Sequence, residues 1–304
     1  MSYLARFTRS RRLAALAAGV ALILVAGGVV LAAATPAIQT ITPRRADQIT
    51  NLDVLRQQIR NYYGDPLGTG VFAPDSNYAQ EAQSVAADGA RWLATGWRGH
   101  GPGGRGAHAP AGKKAIVLDV DDTTLATWNY EVYSNWAYNY VSPPGKTLTN
   151  GDFVNQQLFP PVPGMVDMVK QAAAEGYAVF WITGRPDGQH AATLGNLGTD
   201  GTGVDAGYPA PTAIDIGHGG FTDGLFTKPP LGSYPAYLNE PQFCAASIAA
   251  NVSCPTIQYK SGTRAYIESM GYDIVGDFGD QYSDLTGGYA DRTFKMPNPN
   301  YFLP

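Results

Sequence analysis

The stretch Asp119-Val120-Asp121-Asp122-Thr123-Thr124 places two carboxylates two residues apart, with hydroxyls directly behind them, where the apolar run Ala115–Leu118 ends. On an extended chain, residues i and i+2 face the same way. If the strand continues to Val120, Asp119 and Asp121 therefore aim at one point beyond its end. Two carboxylates so close repel unless a cation or a shared proton intervenes. The pattern Asp-x-Asp-x-Thr thus suggests a hard metal ion, with one carboxylate left free to attack an electrophile. The competing reading is a strand end whose solvated Asp residues cap a helix. Further along, Thr183-Gly184-Arg185 offers a hydroxyl, a glycine amide and a guanidinium. These are anion ligands, and arginine suits phosphate in particular. Lys260 stands alone as a cation, and Asp277, Asp280 and Asp284 form a second acidic group.

The elements that must position these groups follow from apolar periodicity. Ala115–Leu118 reads as a strand buried on both faces, as in a parallel sheet, with its acids at the carboxyl end where open α/β sheets hold their sites. Pro163-Gly164-Met165 opens a helix to Glu175, Gly176 stops it, and Tyr177–Ile182 is the next strand. Strand, helix, strand in this order is a right-handed crossover. Thr256–Tyr259 is expected as a strand ending at Lys260, followed by a helix from Ser261 to Met270 and a strand over Tyr272–Gly276. The fold class expected is α/β: a Rossmann-like parallel sheet flanked by helices, with an N-terminal hydrophobic helix and an irregular insertion. The insertion spans about 196–255, with short strands at Thr212–Ile214 and Leu225–Phe226. Helices over 46–63 and 76–97 carry no obvious chemistry. Arg98–Gly112 is a Gly-rich connector whose His100 and His108 read better as solvated loop residues than as metal ligands. The aromatics Trp128, Tyr130, Tyr133, Trp136, Tyr138 and Tyr140 fit no single helix face and serve equally as core or as the wall of a pocket for a leaving group.

Composition bounds the rest. At 304 residues, 44% hydrophobic and 15% charged, the chain can bury a sizeable core. Arg6, Arg9, Arg11 and Arg12 precede an apolar run from Leu13 to Ala34, the layout of an export signal or, uncleaved, of a membrane anchor. The body is accordingly expected outside the cytoplasm, secreted or anchored to the outer face of the membrane through residues 13–34. Four of the 21 basic residues lie in that leader, leaving 17 against 25 acidic ones and a net charge of −8. Such a balance, with no basic patch, argues against nucleic acid as a partner. Cys244 and Cys254 would most simply pair in an oxidising compartment, the alternative being two buried thiols. Asn251-Val252-Ser253 matches a glycosylation sequon.

In chain order, Asp-x-Asp-x-Thr, Thr-Gly-Arg, Lys and Gly-Asp-Gln-Tyr-Ser-Asp resemble the motif set of the haloacid-dehalogenase-like phosphohydrolase superfamily. Tyr259-Lys260-Ser261 with Arg264, and Gly279–Leu285, look most like its acid phosphatase branch, which includes plant acid phosphatases and vegetative storage proteins. The resemblance covers about residues 113–290 and leaves out the leader, the two N-terminal helices and much of 196–255. Asp122 stands where relatives commonly carry Glu. The resemblance implies Asp119 as the nucleophile that becomes an aspartyl-phosphate and Asp121 as acid and then base. It implies Thr183 and Lys260, beside Gly184 and Arg185, as holders of the phosphoryl group. Mg²⁺ would sit on Asp119, the backbone carbonyl of Asp121 and Asp280, with Asp284 in support. The domain plan expected is a leader over 1–37, a helical extension and linker over 38–112, and a phosphatase domain over 113–304. The function expected is an exported Mg²⁺-dependent phosphomonoesterase acting on a small phosphate monoester. A non-catalytic binding or storage protein, or a phosphotransferase, is the alternative.

Overall fold

The computed structural model describes residues 43–95, 113–137, 142, 144–217 and 220–303, all within one compact unit. The leader, His100, His108, Tyr138 and Tyr140 lie outside the described residues. Helix α1 (Leu52–Tyr62) is capped by Asn51, whose side chain accepts from the amides of Asp53 and Val54. Helix α2 (Asn77–Thr95) is capped by Ser76, which takes the amide of Ala79. Strand β1 (Lys113–Leu118) follows, then α3 (Trp128–Ser134), α4 (Asn150–Asn155), α5 (Met165–Ala174) and β2 (Ala178–Pro186). Next come α6 (His190–Leu197), the small antiparallel pair β3 (Ile214–Gly217) and β4 (Gly220–Thr222), and β5 (Leu225–Lys228). The chain closes with α7 (Ala245–Ala249), α8 (Thr256–Ser269), β6 (Tyr272–Gly279), α9 (Tyr282–Leu285) and β7 (Thr293–Lys295).

The main sheet runs β5-β2-β1-β6-β7, every neighbouring pair parallel. Period-2 alternation sends Ile116, Leu118, Val179 and Trp181 to a core under α2 and α5. It sends Ala115, Val117, Phe180 and Ile182 to a second core shared with α8. Both faces are covered, which is why β1 is a nearly unbroken apolar run. Among the described residues no helix is long and apolar enough to cross a membrane.

Three expectations need correction. Thr256–Tyr259 is not a strand: with Pro255 at the N-cap, the whole of Thr256–Ser269 is helical, and Lys260 sits in its second turn. Its buried face carries Tyr259, Lys260, Thr263, Arg264 and Ile267, at i, i+4 and i+8 spacing but mostly polar, so no apolar stripe announces the helix. The stretch 196–255 is not wholly an insertion, because Leu225–Lys228 is the edge strand of the main sheet, Leu225 opposite Trp181. The N-terminal helices, expected outside the phosphatase-like part, pack on it. Trp92 Nε1 donates to the Val275 carbonyl at 2.8 Å, and Tyr177 OH donates to that of Leu93 at 2.7 Å. Cys244 and Cys254 form a disulfide that ties the segment before α7 to the start of α8.

Candidate active site

β1 ends at Leu118, and the Asp119 amide donates to the Phe278 carbonyl at 2.9 Å, which carries the sheet ladder one residue further. The chain then turns: the Val120 carbonyl accepts from the amides of Thr124 and Leu125. Asp119 and Asp121 therefore do not share a strand face as the alternation argument supposed, yet both line one cleft of about 490 Å³ at the carboxyl edge of the sheet. Asp119 is 7% exposed. Lys260 Nζ donates to its Oδ1, and to Asp284 Oδ1 at 2.7 Å. Asp121 faces elsewhere, held by Arg185 through Nη2–Oδ1 at 2.6 Å and Nε–Oδ2 at 3.1 Å. This is a two-point grip that fixes the carboxylate plane. Arg185, expected as a phosphate ligand, thus has a carboxylate as its partner, and its Nη1 is spent on Thr193 Oγ1 at 3.0 Å. Thr183 is fully buried beneath the cleft, its Oγ1 accepting from the Arg185 amide, while Gly184 lines the cleft itself.

The second acidic group is equally constrained. Asp280 Oδ2 accepts from Gln281 Nε2 and Asn298 Nδ2, each at 2.6 Å, while Thr123 Oγ1 approaches Oδ1 at 3.3 Å. Asp284 Oδ2 takes the Gln281 amide at 2.8 Å. Gly279 must be glycine, because a Cβ there would lie 2.4 Å from the Asp284 Cβ. Beneath them Arg264 pairs with Asp277 at 3.1 Å and donates to the carbonyls of Asp284, Thr286 and Gly288, clamping the turn after α9.

Asp119, Asp280 and Asp284 are all buried, and each offers one oxygen within 4.8 Å of the others. Burial, the nearby Asp284 and Asp121 raise Asp119 to about 7 although Lys260 pulls the other way. Burial, Asp284 and Asp119 drive Asp280 well above the carboxylate range. Lys260 is raised in turn: burial opposes its charge, but Asp119 and Asp284 outweigh that. Three buried carboxylates around one ammonium leave a deficit of positive charge, and their oxygens suit a hard divalent cation. The residues fit a metal.

Several residues of the cleft were not singled out by sequence. The C-terminal tail folds back across it: Leu303 N donates to Gln281 Oε1, Asn300 Nδ2 to Tyr63 OH at 2.9 Å, and Trp136 Nε1 to Asn300 Oδ1. Of the aromatics after β1, Trp128 and Tyr130 are core, while Trp136 lines the cleft with Tyr301 and Phe302. Trp128 stacks on Tyr63 at 4.1 Å and donates to Asp65, fastening α3 to the N-terminal segment. Asp122, at φ +52°, holds the N-terminus of α3 by accepting from Thr127 N and Oγ1 and from the Tyr301 hydroxyl. Glu131 on α3 faces the cleft, and burial with Asp122 and Asp121 nearby pushes it up to about 8.

The stem 28 kDa glycoprotein of Glycine max is 28% identical over 194 residues, 63% of this chain and 61% of that protein. Acid phosphatase 1 of Solanum lycopersicum is 25% identical over 193 residues, 63% of this chain and 60% of that protein. The chain thus spans about three-fifths of the length of these relatives. The class C acid phosphatase of Bacillus anthracis shares the fold with a TM-score of 0.51 at 19% identity, covering 82% of this chain and 86% of that one. The family model for the HAD superfamily, subfamily IIIB (acid phosphatase), matches residues 33–209 and 248–304, and so takes in the N-terminal helices that the motif resemblance had left out. The chain belongs to that acid phosphatase family of the HAD superfamily.

Proposed function

We propose that the protein is an exported, Mg²⁺-dependent phosphomonoesterase that works through an aspartyl-phosphate on Asp119. The carrying observation is the division of labour between two acids two residues apart. Asp119 is buried against Lys260 beside Asp280 and Asp284, while Asp121 is held separately by Arg185 in the same cleft. Asp119 Oδ attacks phosphorus and the bond to the leaving oxygen breaks, with Asp121 delivering the proton that an alkoxide lacks. Asp121 then removes a proton from water, which attacks phosphorus, releases phosphate and frees Asp119. Lys260 and the Gly184 amide hold the phosphoryl oxygens, the Thr183 hydroxyl braces the Arg185 amide beneath them, and Arg185 keeps Asp121 aimed at the leaving oxygen.

A carboxylate approaching a phosphate dianion meets a repulsion of roughly 4 kcal/mol per charge pair at 4 Å and an effective dielectric near 20. Asp119, Asp280 and the Asp121 carbonyl, with Asp284 in support, would hold Mg²⁺, which would supply positive charge against that repulsion. Export is supported by the basic and apolar leader and by the disulfide. The test is release of a chromogenic phenol from its phosphate ester. Turnover that disappears with chelator and returns with Mg²⁺ is expected. Chelator-insensitive turnover would remove the metal from the reading, and no turnover at all would leave a non-catalytic binding or storage role.

A further inference from the structure

On the phosphatase reading above, we propose that the cleft beyond Asp121 selects a phosphomonoester whose leaving alcohol carries an ammonium group, and that Glu131 is the residue that selects it. Glu131 is 8% exposed and lines the cleft with Asp121, Trp136 and Tyr301. Among the described residues its carboxyl has no hydrogen-bond or ion-pair partner. Its oxygens open to the cleft rather than being sealed in protein, and a largely buried carboxyl that opens to a cavity without a protein partner points to a partner that arrives from outside. Of the cations that line the cleft, Arg185 is spent on Asp121 and Lys260 on Asp119 and Asp284, while Lys228 lies near enough to Lys260 to feel its charge.

The partner's chemistry follows from what surrounds the carboxyl. Burial, with Asp122 and Asp121 as negative neighbours, raises its proton affinity. An anion is therefore excluded from this end, and a neutral apolar group would leave the carboxyl as unmatched as before. A cation does the reverse: it restores the charged form of Glu131 and gains from Asp121 and Asp122 as well. Trp136, Tyr301 and Phe302 complete the wall with aromatic surface, which attracts ammonium groups. Trp136 already draws the guanidinium groups of Arg56 and Arg60 to within 5.8 and 5.6 Å, and neither arginine lines the cleft. The position relative to the chemistry is also right. The phosphate end is defined by Asp119 and Lys260, Asp121 stands at the leaving oxygen, and Glu131 on α3 lies on the leaving-group side, near enough to Asp121 to have its own proton affinity raised by it and near enough to Tyr301 to push that hydroxyl up.

The experiment compares kcat/KM of the Mg²⁺-loaded full chain on 2-aminoethyl phosphate and on n-propyl phosphate, which differ in charge and little in size. The wild type is expected to prefer the amine ester by about tenfold, mainly through KM, the scale of one charge-assisted contact. In Glu131→Gln the ratio should collapse to about one. N-acetyl-2-aminoethyl phosphate gives a check that needs no variant, since removing the charge from the substrate should lose the preference in the wild type. Equal kcat/KM on the two esters, or a preference that survives in Glu131→Gln, overturns the assignment of Glu131 while leaving phosphatase activity standing. Turnover of neither ester by protein that hydrolyses the chromogenic phenyl ester overturns the selectivity alone, and absence of turnover on all three overturns the phosphatase reading with it.

Discussion

The two ends of the cleft are built by different means. At the phosphate end, charged groups are delivered by the main sheet and one helix: Asp119 after β1, Thr183 in β2, Lys260 on α8, Asp280 and Asp284 after β6. Asp119, Asp284 and Lys260 pin one another by charge, while Asp280 is held by the amides of Gln281 and Asn298. At the leaving-group end, the wall is a strap of C-terminal tail and the short helix α3, held by single hydrogen bonds between side chains and by stacked rings. On the mechanism proposed above, the atoms that would meet phosphorus within fractions of an ångström sit on the sheet and α8, and the groups that would only choose among alcohols sit where substitutions disturb the sheet least.

That contrast is broken most directly at Asp119. Asp119→Asn keeps the shape but cannot form the acyl-phosphate, so turnover should fall by about 10⁴-fold or more with the fold intact. Asp121→Asn should cost about 10²–10⁴-fold, and more for alkyl than for phenyl esters because a phenolate leaves with less need of a proton. Residual activity within tenfold of wild type in Asp119→Asn would show that the nucleophile lies elsewhere.

Asn298 joins the two ends, since its amide holds the second oxygen of Asp280 from the tail. Removing the amide in Asn298→Ala should raise the Mg²⁺ concentration for half-maximal activity by about 10–100-fold, the usual effect of losing a group that orients a metal ligand. The same titration can be followed by the rise in Tm that Mg²⁺ produces. An unchanged half-saturation would mean that the strap shapes the pocket without touching the metal.

The smallest effect involves no turnover. Burial raises Asp122 and Asp277 to about 6 and Glu131 to about 8. An acid whose folded pKa is raised takes up its proton on folding. Its contribution to stability is complete below the ordinary carboxylate range and is lost as pH climbs through the folded values. In chelator, Tm should therefore be lower at pH 8.5 than at pH 5, by roughly 5 °C or more, since a tenfold gain in the proton affinity of one carboxyl on folding is worth about 1.4 kcal/mol. A flat or rising profile would show that these carboxyls are better matched than their surroundings indicate.

What the sequence determined by itself is the set of acidic strand ends. Ala115–Leu118 and Tyr272–Gly276 are apolar runs that stop abruptly at acids, and a parallel strand buried on both faces leaves that signature in a handful of consecutive residues. Asp119, Asp121, Asp280 and Asp284, which the structure gathers at one cleft, were legible for that reason. Lys260 was found as a residue but put on the wrong element, because the buried face of α8 is polar and hides its helical period. Only the tertiary structure decided that Arg185 grips Asp121, that Leu225–Lys228 joins the sheet, and that Glu131 faces the cleft without a partner. The wall of the leaving-group pocket depends on contacts such as Asn300 with Tyr63, 237 residues apart. Such contacts have no local period to read. They exist only because the sheet, once formed, brings the two ends of the described chain to the same cleft.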